Sequence, residues 1–139
     1  MIFVFGSNTH GIHGAGAARD ARVNFGAKQG QGFGIQGQSF AIPTRTVEQG
    51  NPYIVDMPFI EIQDYVAMFI TFAQRHPELE FKVTQIGTGH AGYEHTQMVA
   101  LFLDSPPNCY FDEAWKSYFI QFGVRKQYWG TFDLKKGSN

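Results

Sequence analysis

Phe3-Val-Phe-Gly-Ser-Asn-Thr-His-Gly-Ile-His-Gly-Ala-Gly-Ala-Ala18 is the stretch whose reading decides the fold. Residues Ile2 to Phe5 form an apolar, β-favouring run without polar alternation, the pattern of a central strand covered on both faces. The run stops at Gly6. Beyond a small-residue loop, the spacing predicts a helix from about Gly14 to Phe25, with Ala17, Ala18, Ala21 and Phe25 on one face. Gly26 is its stop. Strand, glycine loop and helix start, in that order, aim backbone N–H groups at an anionic group.

A second segment repeats this arrangement. Val83-Thr-Gln-Ile-Gly-Thr-Gly-His-Ala-Gly-Tyr93 closes an expected strand over Phe81 to Ile86 and opens a helix over Tyr93 to Leu103, with Met98, Val99 and Phe102 inward. Between the two loops, glycine-dense residues Gly30 to Gly37 read as loop. Ser39 to Ile42 reads as a short strand stopped by Pro43, and Arg45 to Tyr53 as an exposed connection. The clearest helix spans Ile60 to Arg75, with Ile62, Tyr65, Val66, Phe69, Ile70 and Ala73 on its apolar face and His76 as its cap before Pro77. Pro106 and Pro107 precede a strand over Asn108 to Phe111. Asp112 then N-caps a helix carrying Trp115, Phe119 and Phe122. A tail from Lys126 turns polar over about 134–139.

Strands and helices alternate throughout. The expectation is an α/β fold: a three-layer α/β/α sandwich with a mostly parallel central sheet, residues 1–139 forming one domain. Ligands in such folds bind at the carboxyl ends of the strands, and both glycine loops leave from that end.

Composition narrows the partners. The 139 residues are 43% hydrophobic and 17% charged, with a formal net charge of −1 and no basic stripe, which argues against duplex nucleic acid. One cysteine, Cys109, leaves no intrachain disulfide framework and fits a reducing, cytoplasmic setting; it reads as a buried strand residue. Met1 to Phe5 is too short for a signal peptide, and the apolar run Tyr65 to Ala73 is too short for a bilayer span, so no membrane partner is expected.

The candidate ligand-binding residues are those of the two loops: Gly6, Ser7, Asn8, Gly14, Ala15 and Gly16, then Gly87, Thr88, Gly89, His90, Ala91, Gly92 and Tyr93. Thr88 and the loop amides are donors suited to a diphosphate, and Tyr93 to covering a sugar. Asn8 either satisfies loop backbone or bonds a ribose hydroxyl. Neither segment is a Walker A loop, for no Gly-Lys-Ser/Thr follows, and no acidic ribose reader completes a dinucleotide fingerprint. Four histidines, His10, His13, His90 and His95, lie in or beside the loops. His10, His13 and His90, with Asn8, are the candidates for acid/base or ligand-contacting roles. His10 and His13 have a plausible ligand separation, but no cysteine or carboxylate joins them at short range, so neither metal nor cofactor is expected. Three readings stand: a module binding a phosphate-bearing ligand, an enzyme acting on such a ligand, and an interaction protein whose glycine loops are only turns.

Together the segments resemble macro domains, α/β/α modules that bind ADP-ribose and related nucleotides. Phe5-Gly-Ser-Asn8 resembles that family's Asn-Ala-Ala-Asn strand end, and His13-Gly-Ala-Gly-Ala-Ala18 its Gly-Gly-Gly-Val-Ala turn into a helix. Ser39-Phe-Ala-Ile-Pro-Thr44 is similar to the middle strand. Ile86-Gly-Thr-Gly-His-Ala-Gly-Tyr93 is similar to the Ser-Thr-Gly-x-x-Gly-Tyr phosphate loop. The likeness runs from about residue 2 to 111, in the manner of compact phage or prophage variants. It implies that Asn8 touches the distal ribose, Gly14 to Gly16 line the pyrophosphate, Gly87 to Gly92 wrap the phosphates and Tyr93 packs on the distal ribose. Ala18 stands where hydrolytic members often place an Asp, and the adenine-reading Asp falls before this chain's first residue. The resemblance therefore favours a binding module for ADP-ribose or a related diphosphate nucleotide, with ADP-ribosyl hydrolase activity as the alternative.

Overall fold

The computed structural model describes residues 1–47 and 54–132; the expected connection over Gly50, Asn51 and Pro52 and the polar tail lie outside them. In chain order the elements are β1 (Ile2–Asn8), α1 (Gly16–Asn24), β2 (Gly34–Gln36), β3 (Ser39–Val47), β4 (Ile54–Asp56) and α2 (Phe59–Arg75). There follow β5 (Phe81–Val83), α3 (His95–Ala100), β6 (Cys109–Asp112), a 3-10 turn over Glu113–Trp115 that runs into α4 (Lys116–Gln121), and β7 (Gln127–Gly130). Among the described residues these strands form one mixed sheet in the order β2-β3-β1-β5-β6-β7, with β4 also pairing β3. The ladders among β3, β1, β5, β6 and β7 are parallel; β2 and β4 run antiparallel to β3.

The pleat divides the core into two layers. Phe3 and Phe5 of β1 and Ala41 of β3 face α1, packing with Ala21 and Ala27, and Phe25 stacks on Phe3 at 4.5 Å between ring centroids. Val4, Phe40 and Ile42 point the other way, into the larger layer. There they meet Ile62, Val66 and Phe69 of α2, Met98 and Val99 of α3, and Trp115 and Phe119. Alternate residues of one strand thus serve opposite faces, and the result is the three-layer α/β/α arrangement expected.

Several boundaries differ from the expectation. β1 runs on to Asn8, and α1 begins at Gly16. β5 ends at Val83, and α3 occupies only His95–Ala100. Pro43 does not stop β3. It falls between residues 39–41, which pair β2, and 45–47, which pair β4, so its missing N–H interrupts neither ladder. The glycine-dense segment holds β2, a short edge strand. The aromatic tail forms β7, whose Trp129 Nε1 donates to the Val83 carbonyl at 2.9 Å. Phe122 is exposed, while Trp115 and Phe119 are buried.

One topological feature positions the site. β1 and β5 are neighbours, yet the chain leaves β1 for α1 on one face and β5 for α3 on the other. Two adjacent parallel strands whose connections part in this way leave a crevice beyond their carboxyl ends. Both glycine loops border it.

Candidate functional site

A cleft of about 680 Å³ occupies that crevice. One wall is Gly6, Ser7 and Asn8 with Ile12 and Gly14 to Ala18; the other runs from Thr84 to Ala91. Thr44, Arg45 and Ile54 line one end, and Phe132 also contributes.

The cleft presents backbone donors. α1 starts without a side-chain cap: Ala15 is its N-cap residue, and no acidic residue stands in its first turn. The amides of Ala15 to Ala18 have no acceptor among the described residues, as expected for an uncapped helix start. Across the cleft, the amides of Gly89, His90 and Ala91 are likewise without an acceptor there. The lining contains Arg45 and His90 but neither Asp nor Glu. An anion entering this cleft therefore meets a positive helix end, free N–H groups and a guanidinium.

The cleft glycines fall into two kinds. Gly87 has φ +81°, and a Cβ there would lie 2.7 Å from the Met98 side chain, so the fold itself demands glycine. Gly14 and Gly89 have no positive φ, and a Cβ on either would meet nothing within 4 Å. The fold does not require glycine at these two positions, and a side chain at either would enter open space.

Loop side chains are mostly engaged in building the walls. Asn8 uses both amide atoms on Ile12, Nδ2 to the carbonyl at 2.9 Å and Oδ1 from the N–H at 3.0 Å, which is the loop-satisfying role of the two considered for it. Ser7 Oγ donates to the Gly32 carbonyl. Thr88 Oγ1 donates to Gln85 O at 2.8 Å, leaving the following amides as the donors of that loop. Tyr93 lies outside the lining: its hydroxyl donates to Met57 O at 2.7 Å and its ring packs beside Phe59. Gly92 is also outside it.

The histidines separate. His90 lines the cleft, and His10 is exposed and does not. His13 is fully buried, its Nε2 donating to Gln31 O at 3.1 Å and its ring edge-on to Phe5. Burial pushes its pKa below the ordinary value of 6.5 against the opposing effect of its hydrogen bonds, which favours the neutral ring, and His13 does not line the cleft. Its Nδ1 has no hydrogen-bond partner. His95 accepts from Trp115 Nε1 at 3.0 Å and stacks on Tyr118, a packing role. Among the described residues no group of three or more His, Cys, Asp or Glu is arranged to hold a metal ion. No helix there is long and apolar enough to cross a membrane.

A glutamine-rich segment supports the first loop from behind. Gln29 Oε1 accepts from His13 N at 2.6 Å, and Gln36 Oε1 accepts from Lys28 N at 2.7 Å. Gln31 Nε2 donates to the carbonyls of Phe33 and Ile35 at 3.1 and 3.0 Å. An amide side chain carries donor and acceptor together, which suits it to pairing irregular backbone. The glycine and glutamine alternation of 29–38 was the available signal for this support.

The lining also holds residues outside the candidate set, among them Thr44, Arg45, Gln85 and Phe132. Opposite β1 the register slips between Ser7, paired with Pro43, and Asn8, paired with Arg45, so Thr44 is an extra residue. This bulge brings Thr44 and Arg45, consecutive in sequence, to the same cleft. Gln85 and Phe132 are joined through Asp112, whose Oδ2 accepts from Gln85 Nε2 at 3.1 Å and from Phe132 N at 3.0 Å.

No family model and no curated protein matches the chain. A solved structure of a protein of unknown function from Bacteroides thetaiotaomicron is similar, with 13% identity, a TM-score of 0.50, and coverage of 93% of this chain and 87% of that one. At that identity the similarity concerns the fold alone.

Proposed function

We propose that the cleft binds a nucleotide containing a diphosphate, of which ADP-ribose is the first choice, and that the protein acts as a binding module. The observation that carries this reading is the pair Gly14 and Gly89. Each lines the cleft, neither is required by backbone conformation or packing, and each borders amides with no acceptor among the described residues. A phosphate drawn to those amides would occupy the space that a side chain at either position would fill. The resemblance of the two loops to macro-domain segments supports ADP-ribose as the first ligand to try.

Binding is favoured over turnover because the described lining offers no carboxylate base, and His90 is the side chain there suited to carrying a proton. Titration calorimetry with ADP-ribose tests the reading. Binding is expected for the wild-type protein and lost in Gly89→Val, with an unchanged unfolding temperature. No heat at millimolar ADP-ribose, or full binding by Gly89→Val, would reject it.

A further inference from the structure

We infer that Arg45 is a second anion anchor of the cleft, so that one phosphate of the ligand sits on the loop amides and a further anionic group sits on the guanidinium. The inference rests on the diphosphate reading and adds the residue that would select for more than one phosphate.

Three observations carry it. First, the bulge opposite Ser7 and Asn8 departs from the regular ladder at the point where Arg45 reaches the cleft lining. Second, Arg45 is held but not saturated. Its Nη2 donates to Ile54 O at 3.1 Å, while its Nε is buried and without a hydrogen-bond partner. A guanidinium offers five N–H donors in a planar fork that matches phosphate or carboxylate oxygens.

Third, its counter-ion is weak. Asp56 Oδ1 lies 3.5 Å from Nε, close enough for charge attraction but not in hydrogen-bond geometry, and the Asp56 side chain is 71% exposed. An exposed partner of this kind is screened by water and readily displaced. An incoming anion would form charge-assisted bonds with the Nη N–H groups, since Nε is shielded from solvent. Arg45 is also the one Lys or Arg among the described lining residues.

The test compares ADP-ribose, inorganic pyrophosphate and inorganic phosphate on wild type, Arg45→Gln, Arg45→Lys and Asp56→Asn. Arg45→Gln is expected to weaken ADP-ribose and pyrophosphate about tenfold or more, to reduce the salt dependence of binding, and to leave inorganic phosphate within about twofold. Arg45→Lys keeps the charge without the fork and should lie between. Asp56→Asn removes an exposed competitor and should tighten both diphosphates, a gain that a folding defect cannot mimic. If wild type binds ADP-ribose and loses it in Gly89→Val, yet Arg45→Gln and Asp56→Asn bind as wild type does, Arg45 is not an anchor and the diphosphate reading stands. If wild type binds none of the three, both fall.

Discussion

The Asn8 side chain closes a reciprocal pair with the backbone of Ile12, donating to its carbonyl at 2.9 Å and accepting from its N–H at 3.0 Å. The last residue of β1 thereby takes the place of a neighbouring strand for the loop that follows. Ile12 is 51% exposed, so water can take over part of what Asn8 provides. Asn8→Ala should cost about 0.5–1.5 kcal/mol, the usual net worth of such bonds. Asn8→Asp keeps the acceptor but sets an oxygen against the Ile12 carbonyl, and should cost at least as much. Urea denaturation of the two variants checks this; midpoints equal to wild type would mean the loop is not braced by this side chain.

Gly87 and Gly89 of the second loop should respond differently to the same change. Gly87→Ala forces a Cβ onto a left-handed backbone and into Met98, so a loss of about 1–3 kcal/mol is expected. Gly89→Ala meets open space at an ordinary φ and should stay within about 0.5 kcal/mol of wild type. Thermal unfolding of the pair separates them. Equal losses would contradict both the left-handed turn at Gly87 and the open space at Gly89.

His13 gives stability a pH dependence of defined sign. Its folded pKa is lowered from 6.5, chiefly by burial, so below pH 6.5 the unfolded chain takes up a proton that the folded chain resists. Its contribution is complete above about pH 6.5 and is lost as pH falls toward the folded pKa, at no more than about 1.4 kcal/mol per pH unit. An NMR titration of the His13 ring should show the neutral form persisting below pH 6.5. A ring that titrates at 6.5 or higher would contradict the buried, Nε2-protonated form.

Much of this fold was legible because glycine and proline punctuate it. The run Ile2 to Phe5 and the two glycine loops announce parallel strands feeding helices, and the strand ends do converge on one cleft. What escaped depends on tertiary context. Pro43 reads as a stop unless its place between two separate partner strands is known. Residues 127–130 read as tail because a short edge strand needs its neighbour β6 to define it. Arg45 reached the cleft through a bulge, and Phe132 through a strand not foreseen. His13 misled for the opposite reason, since residue type and spacing do not say which side of a loop a ring will face.

Cys109 should be inert while the protein is folded. It is 1% exposed, and burial pushes its thiol pKa up to about 12, so almost no thiolate exists near neutral pH. A thiol reagent at pH 8 is expected to label the chain only after denaturant is added. Stoichiometric labelling of native protein would place Cys109 elsewhere than at the buried start of β6.

Asp112 is the joint between the sheet and one part of the cleft lining. Wholly buried, it accepts from Ala114 N at 2.9 Å through Oδ1, and from Gln85 Nε2 at 3.1 Å and Phe132 N at 3.0 Å through Oδ2. Each donor belongs to a different segment: the turn after β6, the loop after β5 and the chain after β7. An asparagine can turn one acceptor oxygen toward one side only, so Asp112→Asn must leave at least one buried donor facing an NH2 group. The expected cost is about 1–3 kcal/mol, the penalty for leaving a buried donor without its acceptor. The loss should also be local: Gln85 and Phe132 line the cleft, and hydrogen exchange at the Phe132 amide should rise in the variant. An Asp112→Asn protein with wild-type stability and a protected Phe132 amide would show that something other than this carboxylate holds Phe132 at the cleft.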